Sequence, residues 1–386
     1  MTEAARGHVL LAGVTTRALA VSAAKVGYRV SAADAFGDLD LRAVAEVVPV
    51  PRPLGHFRPG PAAAAAACVS ASMAAYTSSF ENDPAAVARL SHGRRLLGNP
   101  PAVLLRVRNP IELMRLLRGT GFATPDTRVS PAPGTPGRAA WLLKPRRSGG
   151  GHGIRLWRAG QPVPRSSYLQ ERIVGIPGSI AFAADGRSAV TLGLSRQIVG
   201  DARLGIGGFR YCGSILATPA MPLFPNQEEL LERAAAVAAM VTREFGLVGL
   251  NGIDFIAHKG VPYPIEVNPR YSASMELVER ARSISLFEVH ARACDGLLPL
   301  PVTPGNRVHG KAIVFARHDV RLGNTQGWVG QASLADVPQA GEKIRRGQPI
   351  CTVFAEAQSG QACHRLLLQR ATGVYRIVES RKRRAA

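Results

Sequence analysis

Lysine is scarce in this chain. Six lysines (Lys25, Lys144, Lys259, Lys311, Lys343, Lys382) stand among 48 basic residues, so arginine carries nearly all the positive charge. Acidic residues are few as well, 27 against those 48. Cysteine is limited to Cys68, Cys212, Cys294, Cys351 and Cys363, an odd number with no CxxC spacing. That pattern argues against a disulfide framework or a zinc site and predicts buried free thiols. Aromatic residues make up only 6%, and no RNA-binding motif of interleaved aromatic and basic residues occurs. No apolar run approaches the roughly 20 residues needed to span a bilayer. The start, MTEAARGHVLLAG, lacks the layout of a secretory leader. These absences predict a cytoplasmic protein without a membrane segment.

What is present is a chain of 386 residues, 46% hydrophobic and 19% charged, which excludes wholesale disorder. At roughly 150 residues per domain, two or three domains are expected. The net charge of +21 would attract polyanions. The arginines are dispersed, however, and the one dense basic run, residues 381–384, lies at the extreme C-terminus, where a solvated tail is expected. Nucleic acid is therefore not the expected partner.

Residues 8–50 read as strand, helix, strand, with HVLLAGV as a buried strand and a helix closing at Gly27. Asp34, about twenty positions past the first turn, suits a dinucleotide site, but Gly13-Val14-Thr15-Thr16 has one glycine where pyrophosphate approach needs three. The expectation is a Rossmann-like unit without a nicotinamide site. A Pro-rich connector (Pro49, Pro51, Pro53, Pro59, Pro61) leads to an alanine-rich helix over 62–75. Asn109-Pro110-Ile111-Glu112 starts a helix running to Gly119, and Asn226-Gln227-Glu228-Glu229 starts a longer one that stops at Gly246. Beyond Val308 the pattern becomes mostly β, with strands over 308–316 and 348–355.

Two constellations carry chemistry. In the first, a short apolar strand delivers Lys144, and Ser148-Gly149-Gly150-Gly151-His152-Gly153 follows. Glycines let backbone N–H groups close over phosphate oxygens, and a lysine at the strand end neutralises them. No Gly-Lys-Ser/Thr ends the loop, so it is not a Walker A motif. The second is Asn251-Gly252-Ile253-Asp254-Phe255, a turn around Lys259, then Ile265-Glu266-Val267-Asn268-Pro269-Arg270. Pairing centred on Lys259 places Asp254 opposite Pro264 and Gly252 opposite Glu266. Asp254, Glu266 and Asn268 then project to one side, an oxygen-rich face suited to Mg²⁺ bridging phosphates.

With these residues in view, the chain resembles the ATP-grasp superfamily. LLKPRRSGGGHG is similar to its phosphate-binding lysine and glycine loop, YLQERIVGIPGS to its hinge, and GLNGIDF…YPIEVNPRYSAS to its magnesium-binding strands, in family order over roughly residues 105–300. The resemblance implies an α/β fold. It divides into a Rossmann-like N-terminal domain (1–104), a two-part nucleotide-binding α+β domain (105–304), a small β-rich C-terminal domain (305–380) and a basic tail (381–386). It implies ATP and Mg²⁺ as cofactors, with Mn²⁺ as a substitute. Lys144, Ser148, Gly149, Gly150 and Gly151 would meet phosphates, with Arg108 near the place of a first nucleotide-binding lysine. The backbone of Glu171 to Ile173, beside Gln170, would meet adenine. Asp254, Glu266 and Asn268 would hold magnesium, and Arg270 would stabilise a developing acyl phosphate. After the hinge, Ile176-Pro177-Gly178-Ser179 lacks the acidic residue many members use for ribose.

The implied activity is a carboxylate–amine ligase acting on small molecules, often dimeric in this family. The chain is most similar to predicted ATP-dependent carboligases, some associated with one-carbon cofactors of the methanofuran or tetrahydromethanopterin type. Arg196 and Arg210 are the candidates for holding a substrate carboxylate bidentately. Two other readings stay open: a non-catalytic polyanion or nucleic-acid binder, and a nicotinamide oxidoreductase using the N-terminal unit.

Overall fold

An unbroken apolar run fits a strand covered on both faces, and residues 9–12 are fully buried in such a strand. The computed structural model describes residues 6–51, 56–131, 140–301 and 305–380; the basic tail and Pro53 lie outside the described residues. The N-terminal unit consists of β1 (His8–Gly13), α1 (Arg17–Lys25), β2 (Arg29–Asp34), α2 (Leu39–Arg42), β3 (Glu46–Val47), α3 (Pro59–Ala65), β4 (Met73–Tyr76), α4 (Pro84–Ser91) and β5 (Arg95–Leu97). Its sheet is parallel, in the order β3-β2-β1-β4-β5. The alanine-rich stretch is not one helix. It stops at Ala65, turns through Ala66–Cys68 and re-enters the sheet as β4. Ala74 and Ala75 are fully buried between β1 and β5, where strand pairing overrides alanine's helix preference.

Next come α5 (Pro101–Val107), α6 (Pro110–Gly119) and a four-stranded sheet of β6 (Thr127–Arg128), β7 (Trp141–Pro145), β8 (Arg155–Trp157) and β9 (Ser167–Glu171), in the order β6-β9-β7-β8. Asn109 caps α6 as expected, its Oδ1 accepting from the Ile111 N–H at 3.2 Å. The large sheet begins with β10 (Ile176–Asp185), β11 (Ala189–Val199) and β12 (Tyr211–Leu216). Helix α7 (Gln227–Phe245) follows, and then β13 (Val248–His258) and β14 (Val261–Asn268). Asn226 does not cap α7. It adopts φ 49, and Gln227 instead accepts from the Leu223 N–H at 2.8 Å. Gly246 ends the helix in the left-handed region expected of it, with φ 69.

Helices α8 (Met275–Arg282) and α9 (Leu286–Cys294) follow. The C-terminal segment contains β15 (Val308–Phe315), β16 (Val320–Arg321), β17 (Leu334–Ala335), β18 (Lys343–Ile344), β19 (Pro349–Ala357) and α10 (Gly360–Ser380). Its long strands continue the large sheet, whose order is β14-β13-β10-β11-β12-β15-β19-β17. The mostly-β reading missed α10, whose Cys363, Leu367, Ala371 and Val374 are buried in the core they share with β15 and β19. The five cysteines are free, and Cys212, Cys351 and Cys363 are buried as expected. Cys68 is a correction: it is exposed, on the turn that replaces the predicted helix.

Candidate active site

A turn and a bulge together bring Asp254, Glu266 and Asn268 to one face. The turn is the two-residue Lys259-Gly260 (φ 50 and 76), a left-handed pair that matches hairpin twist, and His258 pairs with Val261. Continued without a break, that register would set Asp254 opposite Ile265 and send Glu266 to the other side. A bulge at Ile265 restores the parity. Phe255 pairs with Pro264, Asp254 with Glu266, and Gly252 with Asn268. The expected shared face is present, reached by a different register from the one the sequence suggested.

Two carboxylates directly opposite one another repel. Burial, and then Glu266, push the Asp254 carboxyl up to about 7. Burial also acts on Glu266, but Arg108 and then Lys144 outweigh it and hold that carboxyl below the usual range. Arg108 Nη1 lies 3.6 Å from Glu266 Oε2 and donates to the Val267 carbonyl at 2.8 Å. Asp254 accepts from Gln197 Nε2 at 2.9 Å and from Asn268 Nδ2 at 3.1 Å. Gln197, the neighbour of the expected Arg196, is a site residue that the sequence did not mark. Its signal was alternation: Ser195 pairs with Ser179, which pairs with Asp254, so Gln197 shares their face.

Lys144 is buried at the end of β7, where its Nζ donates to Gln170 Oε1 at 2.9 Å. Gln170 therefore orients the lysine. The glycine loop folds onto the turn before β12, with the Tyr211 N–H donating to the Gly150 carbonyl at 3.1 Å. Gly151 is required there, since a Cβ would lie 1.8 Å from the Phe209 carbonyl oxygen and φ is 75. Ser148 turns inward to its own loop, Oγ donating to the His152 carbonyl at 2.6 Å. Gly149 accepts from the His152 N–H at 3.2 Å. At the hinge, the N–H groups of Glu171 and Arg172 donate to Asp126 and Ala140. The expected backbone contact with adenine is thereby narrowed: among the described residues, Ile173 is the hinge position whose backbone makes no hydrogen bond.

Arg196 is not brought to the site. It pairs with Gly178 and shares the face of Phe255, on the α7 side of the sheet, one residue out of phase with Gln197. Arg210 sits by the glycine loop. Its guanidinium lies 5.6 Å from the Phe315 ring centre, and its buried Nε has no acceptor. Arg270 differs from the expected free cation. Nε donates to Glu81 Oε1 at 2.9 Å, Nη1 to the Tyr271 carbonyl at 3.0 Å and Nη2 to Asn268 Oδ1 at 3.1 Å, which makes it a holder of Asn268. In the N-terminal unit, Asp34 accepts from the N–H groups of Thr16, Phe36 and Gly37, so it shapes its own loop and presents no free ribose acceptor.

The donor set fits a hard divalent cation: two ionisable carboxylates and an amide on one face, with the Asp254–Glu266 repulsion that a cation would relieve. Among the described residues no group of three His, Cys, Asp or Glu is placed to hold a metal ion, so a third oxygen at this face would come from Asn268. No described helix is long and apolar enough to cross a membrane.

Residues 107–274 match the ATP-grasp domain model. An uncharacterized protein of Methanocaldococcus jannaschii is 24% identical over 272 residues, 68% of this chain and 64% of that protein. A formate-dependent phosphoribosylglycinamide formyltransferase of Anaeromyxobacter dehalogenans is 33% identical over 94 residues, 24% of each chain. The matches thus span under two thirds of these relatives' own lengths. Among solved structures, the biotin carboxylase domain of Hydrogenobacter thermophilus 2-oxoglutarate carboxylase, in complex with MgADP, ADP and bicarbonate, aligns with TM-score 0.69 and 15% identity, covering 92% of this chain and 87% of that one. The N5-carboxyaminoimidazole ribonucleotide synthetase of Thermus thermophilus gives 0.66 and 19%, covering 96% and 98%. At these identities the structures establish the fold. Residues 107–274 thus match an ATP-grasp domain, and the chain as a whole shares the fold of these solved structures.

Proposed function

We propose that this protein is an ATP-dependent carboxylate–amine ligase. The observation that carries the reading is the Asp254–Glu266 pair, opposed on one face and flanked by Arg108 and Lys144. Asp254, Glu266 and Asn268 are the residues that would hold Mg²⁺ or Mn²⁺, which when bound supplies charge neutralisation to ATP phosphates. Lys144, kept in line by Gln170, binds phosphate oxygens, and Gly149 to Gly151 form the cover over them. The Ile173 backbone meets the adenine edge. Gln197 and Asn268 fix the Asp254 carboxylate, and Arg270 fixes Asn268.

The substrate carboxylate takes the γ-phosphoryl group of ATP, giving an acyl phosphate and ADP. The amine then attacks the acyl carbon, expels phosphate and gives up a proton. No side-chain nucleophile is required, and positioned cations lower the barrier as charge moves onto the transferring oxygens. Arg210, whose side chain has no hydrogen-bonding or ionic partner among the described residues, is the cation for a substrate carboxylate. Resemblance to predicted carboligases supports a finer role in one-carbon cofactor synthesis, and the family's habit supports a homodimer in the cytoplasm.

The test is an ADP-release screen that pairs amino acids, amines and one-carbon cofactor precursors, with product mass measured. A product equal to acid plus amine minus water is expected; a phosphorylated acid alone would make the enzyme a kinase. Lys144→Ala and Glu266→Ala should each abolish ADP formation while remaining folded.

A further inference from the structure

From the N-terminal unit, residues 79–83 reach several parts of the site at once. Phe80 is fully buried in that unit's core, stacked 6.5 Å from Tyr76. Ser79 before it adopts φ 77, a left-handed conformation that costs a non-glycine residue energy and turns the chain sharply. Asp83 after it caps α4, its side chain accepting from the Ala86 N–H at 3.1 Å. Both ends are thus fixed, and the two residues between them face the neighbouring domain.

Glu81 is 1% exposed and places Oε1 2.9 Å from Arg270 Nε and 2.8 Å from Nη2. Arg270 in turn holds Asn268, and Asn268 reaches Asp254. Asn82 Oδ1 accepts from Arg108 Nη2 at 2.9 Å and Nε at 3.2 Å, and Arg108 faces Glu266. Both Asn82 and Arg108 also donate to the Ser148 carbonyl, at 3.4 and 3.2 Å, at the start of the glycine loop. Two adjacent side chains therefore lead, through one arginine each, to the three oxygen donors and to the loop. Glu81 Oε2 is buried without a partner, an arrangement that stability alone does not favour.

We infer that Glu81 and Asn82 are positioning residues: through Arg270 and Arg108 the N-terminal unit sets the geometry of the metal-bearing hairpin and of the glycine loop. This rests on the ligase reading of the site.

The experiment uses the full chain and needs no acid or amine. ADP binding is measured by calorimetry across a Mg²⁺ series, alongside unfolding without ligand. Glu81→Gln keeps the size of the side chain, and it should raise the Mg²⁺ needed for half-maximal ADP binding about tenfold, the scale seen when residues that orient metal ligands are removed. Asn82→Ala should weaken ADP binding at saturating Mg²⁺, and Asn82→Asp, which keeps the acceptor for Arg108, should restore most of it. A merely structural role would lower the unfolding temperature and leave the Mg²⁺ requirement unchanged, and that result would overturn the inference. Should Glu81→Gln not fold, Glu81→Asp, which keeps the charge but draws it back from Arg270, carries the same prediction. If the wild-type chain itself bound no MgADP, the ligase reading would fail instead.

Discussion

The large sheet carries two charged clusters that handle burial in opposite ways. On β13 and β14, Asp254 and Glu266 face each other, and Asp254 is pushed up to about 7. In the other cluster, Glu276 of α8 lies between Arg17 of α1 and Lys311 of β15, all nearly inaccessible to solvent. Arg17 grips Glu276 with both Nη atoms and donates from Nε to Asp336 at 2.9 Å, and Lys311 Nζ reaches Glu276 at 2.5 Å. Burial opposes ionisation of Glu276, yet Arg17 and then Lys311 outweigh it and hold its carboxyl far below the usual range. One cluster is internally compensated, so it joins three segments of the chain. The other leaves like charges opposed, which under the proposed reading suits it to receive a cation. Charge count does not separate a structural cluster from a functional one; the sign of the nearest neighbour does.

The largest effect should come from breaking the compensated cluster. Glu276→Ala leaves Arg17 and Lys311 buried without their shared anion, and about 3–5 kcal/mol of stability should be lost. Denaturant unfolding measures this, and a loss below about 1 kcal/mol would show that the cluster is solvated in solution.

Much of the site was legible in the sequence because its signals are local. Lys144 followed by glycines, and acids at period two on either side of a turn, need only strand alternation to be placed. What escaped depends on contacts distant in the chain. Glu81 and Asn82 look like any polar pair before a helix, and only the folded chain brings them to Arg270 and Arg108, 189 and 26 residues away. Arg196 and Gln197 are neighbours, and the pleat assigns them to opposite faces. The register of the hairpin could not be read, because the bulge at Ile265 changes parity without any glycine or proline at that position to mark it. In the fold, α10 was missed although Cys363, Leu367, Ala371 and Val374 recur at helical spacing, because the β signal of the strands before it was extended to the end of the chain. Its helicity follows from covering β15 and β19.

A buried histidine resolves the same problem a third way, by staying neutral. His290 Nδ1 accepts from the Leu250 N–H at 2.8 Å and Nε2 meets the Leu97 carbonyl at 3.1 Å, so the proton resides on Nε2. Burial pushes its pKa down to about 4. A folded value below the unfolded one of about 6.5 favours the fold above that pH, and the contribution is lost as pH falls from there towards 4. About 3 kcal/mol should disappear over that window. His290→Gln should flatten the profile between these limits; an unchanged slope would mean that other groups dominate acid unfolding.

The smallest effect on stability belongs to the opposed pair, and its sign is the informative part. With its pKa raised to about 7, the Asp254 carboxyl favours the fold below its unfolded value, and that contribution is lost as pH rises through about 7. Without metal at pH 8, Asp254→Asn should therefore leave stability unchanged or raise it by about 1 kcal/mol, while abolishing the stabilisation that Mg²⁺ gives the wild type. Mg²⁺ should stabilise the wild type more at pH 8 than at pH 6, because the cation binds the form that repulsion disfavours. Thermal unfolding at both pH values, with and without Mg²⁺, decides the matter. If Asp254→Asn lost stability as Glu276→Ala does, the two clusters would share one structural role. If the variant is as stable as the wild type and indifferent to Mg²⁺, the repulsion between Asp254 and Glu266 serves ligand binding.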